Sequence, residues 1–389
     1  YGNFSTAAVR IWKSMIEAVT IRELKNLANP DTYYSQKKSL ENKITSSTIT
    51  TDREQDRYYQ KITNIAKDMR AFHNWIKSSL LYTYTKKLKY NKKSKLQRSS
   101  VLDFGCGRGG DLMKWYHSKV GYYVGLDPSY EDIHSTVDGA YSRYNAAKKK
   151  FPDFGKMVYL QANPAYLLNE EAQINVFPNM AKDNLKEFND IFKDNKTKFD
   201  IVNSSFAIHY LFSDENSVIN MTKNITNLLK IGGFIVCELF DADLVMKLLD
   251  GNDTHTSYYT DEGGKKEKLF EIVKKFEGNH DNKFGQPIDV YMSWFQEEGT
   301  YLTEYLVSKE LMVSTMKNAG CYLVDSDTFG NIYNLNKDWF ARVAPTEENK
   351  KNKKFYADVI KYFGHLEGAD KESKIYSFLN RYYIFKKIE

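Results

Sequence analysis

Hydrophobic positions in the segment before residue 90 recur at helical spacing. No Gly or Pro interrupts the chain between Asp52 and Leu88, and apolar residues return there every three or four positions. The residues that share this face are Ile62, Ile65, Ala66, Met69, Phe72, Ile76 and Leu80. The pattern predicts one long helix over 52–88, with a shorter helix upstream at Ala7–Glu17.

From residue 100 to 240, short apolar runs alternate with segments of helical length. The predicted strands are Val101–Gly105, Tyr122–Asp127, Met157–Gln161, Asp200–Ser204 and Gly233–Leu239. The segments between them predict helices near 110–117, 130–150, 179–192 and 214–229. Strands that alternate with helices pair in parallel through right-handed crossovers. The expected fold class is therefore α/β, with a mostly parallel sheet.

Beyond residue 240 the alternation weakens. The polar stretch 251–284 is interpreted as an insertion, and VYMSWF followed by YLTEYLV predicts a hairpin that turns at 297–299. The aromatic segment Arg381–Lys387 predicts a last strand that rejoins the sheet. The mixed, polar residues 1–50 are interpreted as an N-terminal arm or the end of a preceding module, and 51–389 as one domain.

Charge changes this picture only locally. The formal net charge is +6, but residues 86–98 carry seven Lys or Arg and no acid. A second basic run lies within 350–354. Runs of this kind are either solvated loops or contact surfaces for a polyanion such as RNA.

The cysteines and the lengths of the apolar runs indicate the kind of cellular compartment. Cys106, Cys237 and Cys321 lie far apart and fit no metal-ligand spacing, so no metal site is expected and the thiols are interpreted as reduced. No run of about 18 apolar residues occurs, so we expect neither a membrane span nor a membrane partner. Since the chain opens on Tyr1 rather than Met, we expect a piece of a longer polypeptide.

A glycine-rich loop carries the strongest chemical signal. Residues 103–111 read DFGCGRGGD, directly after one predicted strand and before a helix. Gly105, Gly107 and Gly110 also satisfy G-x-G-x-x-G, so a dinucleotide cofactor remains open at this point. Glycine allows positive φ angles and lets the backbone approach a ligand closely.

Acidic residues around the loop narrow the choice of ligand. Asp127 ends the next predicted strand, 22 residues after Gly105, where a carboxylate can bind both ribose hydroxyls of an adenosine. Asp103 lies inside the first strand, where it can face the cationic aminoacyl end of S-adenosylmethionine. A dehydrogenase is disfavoured for this reason. Asp111 is either a helix-capping acid or part of the site.

Several motifs, in the same order along the chain, resemble the mRNA cap guanine-N7 methyltransferases over roughly residues 60–389. They are FHNWIKSSLL (72–81), DFGCGRGGD, GLDPS, SSFAIHYLF (204–212), EYLV (304–307) and FGNIY (329–333). The resemblance is greatest to the methyltransferase domain of capping enzymes from large DNA viruses. It implies a Rossmann-like class I S-adenosylmethionine-dependent methyltransferase, with a mostly parallel seven-stranded sheet and an N-terminal helical extension.

The resemblance implies a set of cofactor-binding residues. Lys77 would approach the carboxylate of S-adenosylmethionine, and Asp127 would hold the ribose. Asp103, Gly105 and the neighbouring Gly107 would line the methionine end. The remaining cofactor residues are Phe206 beside the cofactor, Ser205 where the family commonly has Gln, and Asn163 where it usually has an acid near the adenine. His73 also departs from the family, replacing an Asn.

The resemblance also implies a cap-binding set. His209, Tyr210 and Glu304 would contact the guanine, and the Glu304 carboxylate can accept from the guanine N1–H and N2–H₂ donors. The other members are Tyr333, which would pack against the cap nucleoside, and Arg108 and Arg143, which would face phosphates.

The implied reaction transfers the methyl group of S-adenosylmethionine to guanine N7 of a 5′ cap and yields S-adenosylhomocysteine. Guanine N7 carries a free lone pair, so no catalytic base is expected, and positioning alone can contribute roughly 7–11 kcal/mol. The alternatives are a methyltransferase for another RNA or small-molecule acceptor and an inactive stimulatory subunit of the same fold.

The expected partners follow from this reaction. They are capped mRNA and upstream triphosphatase and guanylyltransferase modules of the same polypeptide, while the need for a stimulatory subunit stays open. The expected location is cytoplasmic, in the viral factory or virion of a large DNA virus.

Overall fold

The computed structural model of the chain describes residues 64–88, 98–342 except 195 and 262, 359–388, and the isolated positions 25 and 29. The chain divides between Arg53 and Glu54 into two units, and every element below belongs to the second. The predicted helix at Ala7–Glu17, the part of the long helix before residue 64, most of the basic run 86–98 and the run within 350–354 lie outside the described residues. The long helix begins at Lys67, so its predicted extension through 64–66 is wrong; these residues form a turn, in which Ala66 has a φ of +52°. The domain boundary near residue 50 stays a prediction.

A seven-stranded sheet forms the centre of the second unit, in the order β10-β11-β5-β4-β1-β2-β3. Strands β1 to β5 are parallel, and β11 pairs antiparallel with both β5 and β10. The strands are β1 Ser100–Phe104, β2 Tyr122–Asp127, β3 Lys156–Gln161, β4 Phe199–Ser205, β5 Leu229–Phe240, β10 Cys321–Thr328 and β11 Asn380–Lys387. The predicted fold class, the five parallel strands and the returning last strand are confirmed.

Helices cover both faces of this sheet. They are α1 Lys67–Leu88, α2 Leu112–His117, α3 Tyr130–His134, α4 Ala140–Lys150, α5 Glu170–Val176, α6 Lys182–Phe192, α7 Glu215–Leu228, α8 Ala242–Leu249, α9 Lys309–Asn318, α10 Phe329–Arg342 and α11 Gly368–Ser377, with a 3₁₀ helix at Ile208–Phe212. The single helix predicted over 130–150 is wrong. Ser135 and Gly139 adopt extended backbone angles there, and such residues favour helix ends over helix interiors.

Alternating residues of each central strand face two different hydrophobic layers. Val101 and Ile201 belong to the layer that includes α1, whereas Leu102 and Val202 belong to the opposite one. The predicted apolar face of α1 is confirmed where the structure describes it, because Met69, Phe72, Ile76 and Leu80 are all buried. This helix therefore packs onto the sheet with its polar residues near the carboxyl ends of the strands.

A second, antiparallel sheet follows β5 in the order β6-β7-β8-β9. Its strands are β6 Thr254–Thr260, β7 Lys266–Lys274, β8 Pro287–Met292 and β9 Leu302–Tyr305. The predicted hairpin is confirmed as the pair β8–β9, but the interpretation of 251–284 as a polar insertion is wrong. Charged residues at both ends of β7 dilute the apolar signal of its buried centre, Leu269, Phe270 and Ile272.

Within the described part of the chain, none of the helices combines the length and the apolar character that crossing a membrane requires.

Candidate active site at the carboxyl edge of the sheet

The candidate site lies where the strand order reverses. Strand β1 pairs with β2 on one side and with β4 on the other, and the chain leaves β1 and β4 toward opposite sides of the sheet. Ligands of open α/β sheets bind in the crevice at the carboxyl ends of such strands. The glycine-rich loop follows β1, Asp127 ends β2, and Phe206 follows β4.

The glycine loop is fastened to β2 and closely packed. The backbone N–H groups of Gly105 and Cys106 both donate to the carbonyl of Leu126, over 2.8 and 3.0 Å. Gly105 has a φ of +78°, and a Cβ there would lie 2.4 Å from the Cβ of Ala207. Only glycine fits this position without a shift of the turn that follows β4.

Asp127 ties the loop to the end of β2. Its Oδ2 accepts the backbone N–H of Gly107 at 2.7 Å, and its Oδ1 accepts that of Ser129 at 2.9 Å. Burial raises the pKa of Asp127 to about 7, although these two bonds act in the opposite direction. Each carboxylate oxygen keeps a free lone pair, so the group can still accept from ribose hydroxyls.

Asp103 is buried and held by two donors of the sheet. The hydroxyl of Tyr123 and the Nδ2 of Asn203 donate to it, each at 2.7 Å. Burial raises the pKa of Asp103 to about 7 against the effect of these bonds. Strand geometry thus fixes the carboxyl group next to the loop.

Asp111 acts as a counter-ion for lysines instead of as a helix cap. It precedes α2 but makes no side-chain capping bond. Its carboxylate lies 2.8 Å from the Nζ of Lys77 and 2.6 Å from that of Lys114. Burial would raise the pKa of Asp111, but the two lysines hold it well below its usual range. Burial would likewise lower the pKa of Lys77, and nearby carboxylates, first that of Asp111, leave it raised.

Phe206 adopts a backbone conformation that is rare outside glycine, with a φ of +55°. Its N–H donates to the carbonyl of Glu238 at 2.8 Å. Its ring stacks on His73, with the centroids 5.4 Å apart, and Lys77 lies 5.9 Å from the ring centroid. His73 is in turn bonded to Ser377. Such conformations cost about 1–3 kcal/mol and are concentrated at functional sites.

His209 and Glu304 meet from different sheets. His209 lies on the 3₁₀ helix after β4, Glu304 lies on β9, and His209 Nε2 is 3.5 Å from Glu304 Oε2. Neither ring nitrogen of His209 has a hydrogen-bond partner. Burial lowers the pKa of His209 to about 3 and raises that of Glu304 to about 8. Both groups are therefore predominantly neutral at pH 7, and the ring nitrogens of His209 can still take up a hydrogen bond.

Three other predicted residues lie close to these groups in the fold. The ring of Tyr210 lies against that of His209 in a tilted arrangement, with ring centroids 4.1 Å apart. Ser205 ends β4, and its Oγ has no hydrogen-bond partner. Asn163 follows β3, where its Oδ1 accepts the backbone N–H of Ala165 at 2.9 Å. The Asn163 oxygen thus closes a local turn, and its predicted role near the adenine stays a prediction.

Two arginines were predicted to face the cap phosphates, and one of them already pairs with acidic residues of the chain. Arg108 pairs with Asp132 at 2.7 Å and also with Asp138. Arg143 lies in the first turn of α4, half-buried. Their contacts with a cap stay predictions.

Tyr333 lies in an aromatic cluster on α10, apart from the pairings just described. Its ring stacks on Phe363 at 4.9 Å and contacts the edge of Phe72, and its hydroxyl accepts from Lys374 at 2.8 Å. The structure therefore explains Tyr333 as part of the packing around α1, and its predicted contact with the cap nucleoside has no support from these contacts.

Two residues of the site were missed from the sequence. Asn203 and Glu238 are completely buried in β4 and β5, at the same edge of the sheet as Asp103. Burial raises the pKa of Glu238 to about 7; Ser205 is close enough to lower it, but not within hydrogen-bond geometry. The sequence contained a signal for both residues, namely a polar residue inside an otherwise apolar strand. The same signal identified Asp103.

Comparison with known proteins finds a matching family model and several relatives. Residues 35–376 match the model of the mRNA (guanine-N(7))-methyltransferase domain. The chain is 35% identical over its full length to a "Probable mRNA-capping enzyme" of Acanthamoeba polyphaga mimivirus, of which it covers 33%. Over 69% of its length it is 28% identical to an mRNA cap guanine-N(7) methyltransferase of Cryptococcus neoformans var. neoformans serotype D, strain B-3501A, of which it covers 32%. The chain thus spans about a third of these relatives.

One solved structure similar to the chain is an S-adenosylmethionine-dependent methyltransferase from Clostridium acetobutylicum ATCC 824. The match covers 88% of this chain and 96% of that one, with 13% identity and a TM-score of 0.40.

Proposed function

The chain belongs to the mRNA (guanine-N7)-methyltransferase family, and from that premise we propose that it transfers the methyl group of S-adenosylmethionine to N7 of the terminal guanosine of capped mRNA. The other product is S-adenosylhomocysteine. The observation that carries the proposal is the buried pair His209–Glu304, in which the imidazole nitrogens have no hydrogen-bond partner, next to the turn that packs on the glycine loop.

The residues at the carboxyl edge fit the cofactor. Gly105 lets the loop pack directly on Ala207, Asp127 keeps acceptor capacity for ribose hydroxyls, and Lys77 is a cation for the cofactor's carboxylate. When bound, S-adenosylmethionine supplies an electrophilic methyl group on a sulfonium centre. Phe206 and His73 form an aromatic wall on the side of Lys77.

Guanine fits the requirements of Glu304. The N1–H and N2–H₂ groups of guanine are adjacent donors, and one carboxylate can accept a hydrogen bond from each. These bonds favour the ionised form of Glu304, which burial otherwise holds neutral. Adenine carries an acceptor at N1 and no amino group at C2. It would leave Glu304 without a partner, which costs more than the mere loss of a contact.

The chemistry needs alignment and no proton acceptor. Guanine N7 attacks through its lone pair, and no proton leaves the ring. The low pKa of His209, about 3, makes its imidazole a weak base, which suits a residue that shapes the pocket. Holding the two reacting groups in line can account for roughly 7–11 kcal/mol of the barrier.

We also propose that the chain works within a longer capping polypeptide, since it spans 33% of the mimivirus relative. Triphosphatase and guanylyltransferase modules of that polypeptide would supply the capped end. Such a protein would act in the viral factory or virion of a large DNA virus.

The test is transfer of label from S-adenosylmethionine to RNA that begins with GpppA. The controls are uncapped RNA, ApppA-capped RNA and RNA whose cap already carries the N7 methyl group. Label only on the unmethylated guanosine cap is the expected result. Equal labelling of ApppA-capped RNA, or cofactor binding without transfer to any cap, would indicate a different acceptor and refute the proposal.

The variant Glu304→Gln separates the acceptor site from the donor site. We expect it to lose transfer to the cap in the assay above, whereas in a separate binding measurement it should bind S-adenosylhomocysteine normally. The exposed acid Glu310, replaced by Gln, is the matched control.

A further inference from the structure

A row of polar side chains crosses three strands beneath the glycine loop. Asn203 and Ser205 are two residues apart on β4 and so face the same side, and Ser205 lies directly opposite Glu238 of β5. Asn203 Nδ2 donates to Asp103 of β1 at 2.7 Å, which extends the row by one strand. Asn203 and Glu238 have no exposed surface, and the row approaches solvent at the half-buried Ser205.

Four atoms of this row are buried without a hydrogen-bond partner: Asn203 Oδ1, Ser205 Oγ, Glu238 Oε1 and Glu238 Oε2. Asn203 Oδ1 can only accept, and so can both oxygens of Glu238 when this group is ionised. A buried acceptor without a donor, and above all a buried carboxyl group, is costly to a folded chain. The row therefore lacks a partner that brings several N–H donors.

The charged groups around the row indicate whether that partner is a cation or an anion. Asp103 and Glu238 influence the pKa of Lys77, and Glu238 also influences that of Lys114. Both ammonium groups are held by Asp111, at 2.8 and 2.6 Å. Three carboxyl groups thus face two lysines, and neither lysine is bonded to the row. A small cation with three donors would satisfy both the charge and the missing bonds.

We propose that Glu238, together with Asn203 and Asp103, binds the α-ammonium group of the cofactor's amino-acid portion. This inference rests on the proposed function for the identity of the cofactor, and it adds Glu238 and Asn203 to the residues expected from the sequence. Lys77 lies on the same side and faces the carboxylate of that amino-acid portion.

The test compares two ligands in the Glu238→Gln variant by calorimetry. S-adenosylhomocysteine carries the ammonium group, whereas 5′-methylthioadenosine keeps the adenosine and the sulfur but lacks the amino-acid portion. We expect the variant to bind S-adenosylhomocysteine about ten- to a hundredfold more weakly, as for loss of a hydrogen bond to a charged group, and to bind 5′-methylthioadenosine unchanged. Glu310→Gln is the control for an acid on the surface.

A second measurement uses the unaltered chain and so is independent of how the variant folds. Deaminated S-adenosylhomocysteine should bind the unaltered chain more weakly by at least the factor that the variant loses, and the variant should distinguish the two compounds less than the unaltered chain does. An equal loss for 5′-methylthioadenosine, or an unaltered chain that binds both compounds equally, would overturn the assignment. These binding measurements need no cap, so a wrong acceptor in the proposed function leaves their outcome unchanged.

Discussion

Glu304 shows how burial raises the pKa of a carboxyl group in the ligand-free chain. The side chain is almost completely enclosed, and burial raises its pKa from 4.5 to about 8. Glu238, Asp103 and Asp127 show the same effect, with pKa values of about 7. A site of this kind is costly in the ligand-free chain and gains most from a ligand that donates hydrogen bonds.

Replacing Glu304 by Gln should stabilise the ligand-free chain at high pH. The unfolded chain ionises this group near pH 4.5 and the folded chain near pH 8, so the folded state loses stability as the pH rises through this window. Gln carries no charge in either state. The variant should therefore melt above the unaltered chain at pH 8, and at pH 4 the two should melt together. A difference that is the same at both pH values would contradict the assigned pKa.

Replacing Asp127 by Asn should weaken the donor site and leave the acceptor site intact. The amide nitrogen of Asn cannot accept a bond, so either Gly107 or Ser129 would lose its partner. We expect S-adenosylhomocysteine to bind at least about tenfold more weakly, the typical effect of losing a bond to a charged acceptor. Binding of a GpppA dinucleotide should not change, and Asp153→Asn, at an exposed acid, serves as the control.

At the scale of elements, the glycine loop and the turn after β4 behave as one unit. Gly105 and Ala207 leave no room for an additional carbon between them. Gly105→Ala should thus force the two segments apart, and both of them carry candidate ligand-binding residues.

The expected result for Gly105→Ala is loss of S-adenosylhomocysteine binding and a lower melting temperature. Gly232→Ala is a matched control, because Gly232 has a φ of +80° but nothing within 4 Å of an added Cβ. The control should lose only about 1–2 kcal/mol for the strained backbone. If both variants bound the ligand normally, close packing at Gly105 would have no functional meaning.

The elements that the sequence predicted well are those with one dominant periodicity. Strands β1 to β5 are apolar runs buried on both faces, so their positions follow from composition to within a few residues. Strands β6 and β7 are flanked by Lys, Glu and Asp, and only their middle residues contact the core. Their pairing depends on contacts distant in sequence, which no local pattern contains.

The same distinction applies to the candidate site. Asp127 and the glycines stand at strand ends, where their spacing predicted a function, and Asp103 was noticed as a carboxylate inside an apolar strand. His209 and Glu304 were available only through a resemblance, because 95 residues separate them in the chain. Glu238 was overlooked because it lies in a strand that otherwise reads as ordinary core.

At the scale of the whole molecule, the described site residues all belong to the unit that begins at Glu54. Removal of residues 1–53 should therefore leave binding of S-adenosylhomocysteine within about twofold of the full chain. Calorimetry on the two chains measures this directly. A truncated chain that folds, by circular dichroism, but no longer binds the cofactor product would show that the first unit contributes to the site.

The two sheets carry different candidate ligand-binding residues. The seven-stranded sheet carries the loop, Asp103 and Asp127, whereas Glu304 comes from the small antiparallel sheet. The two meet where Asp241 bridges to Val307, three residues beyond Glu304. Under the proposed function, the residues that bind the methyl donor lie on and around the seven-stranded sheet, whereas the methyl acceptor is bound jointly by His209, which follows β4, and Glu304 of β9. Acceptor preference can then diverge during evolution through changes in β9, while the residues that bind the donor are inherited unaltered.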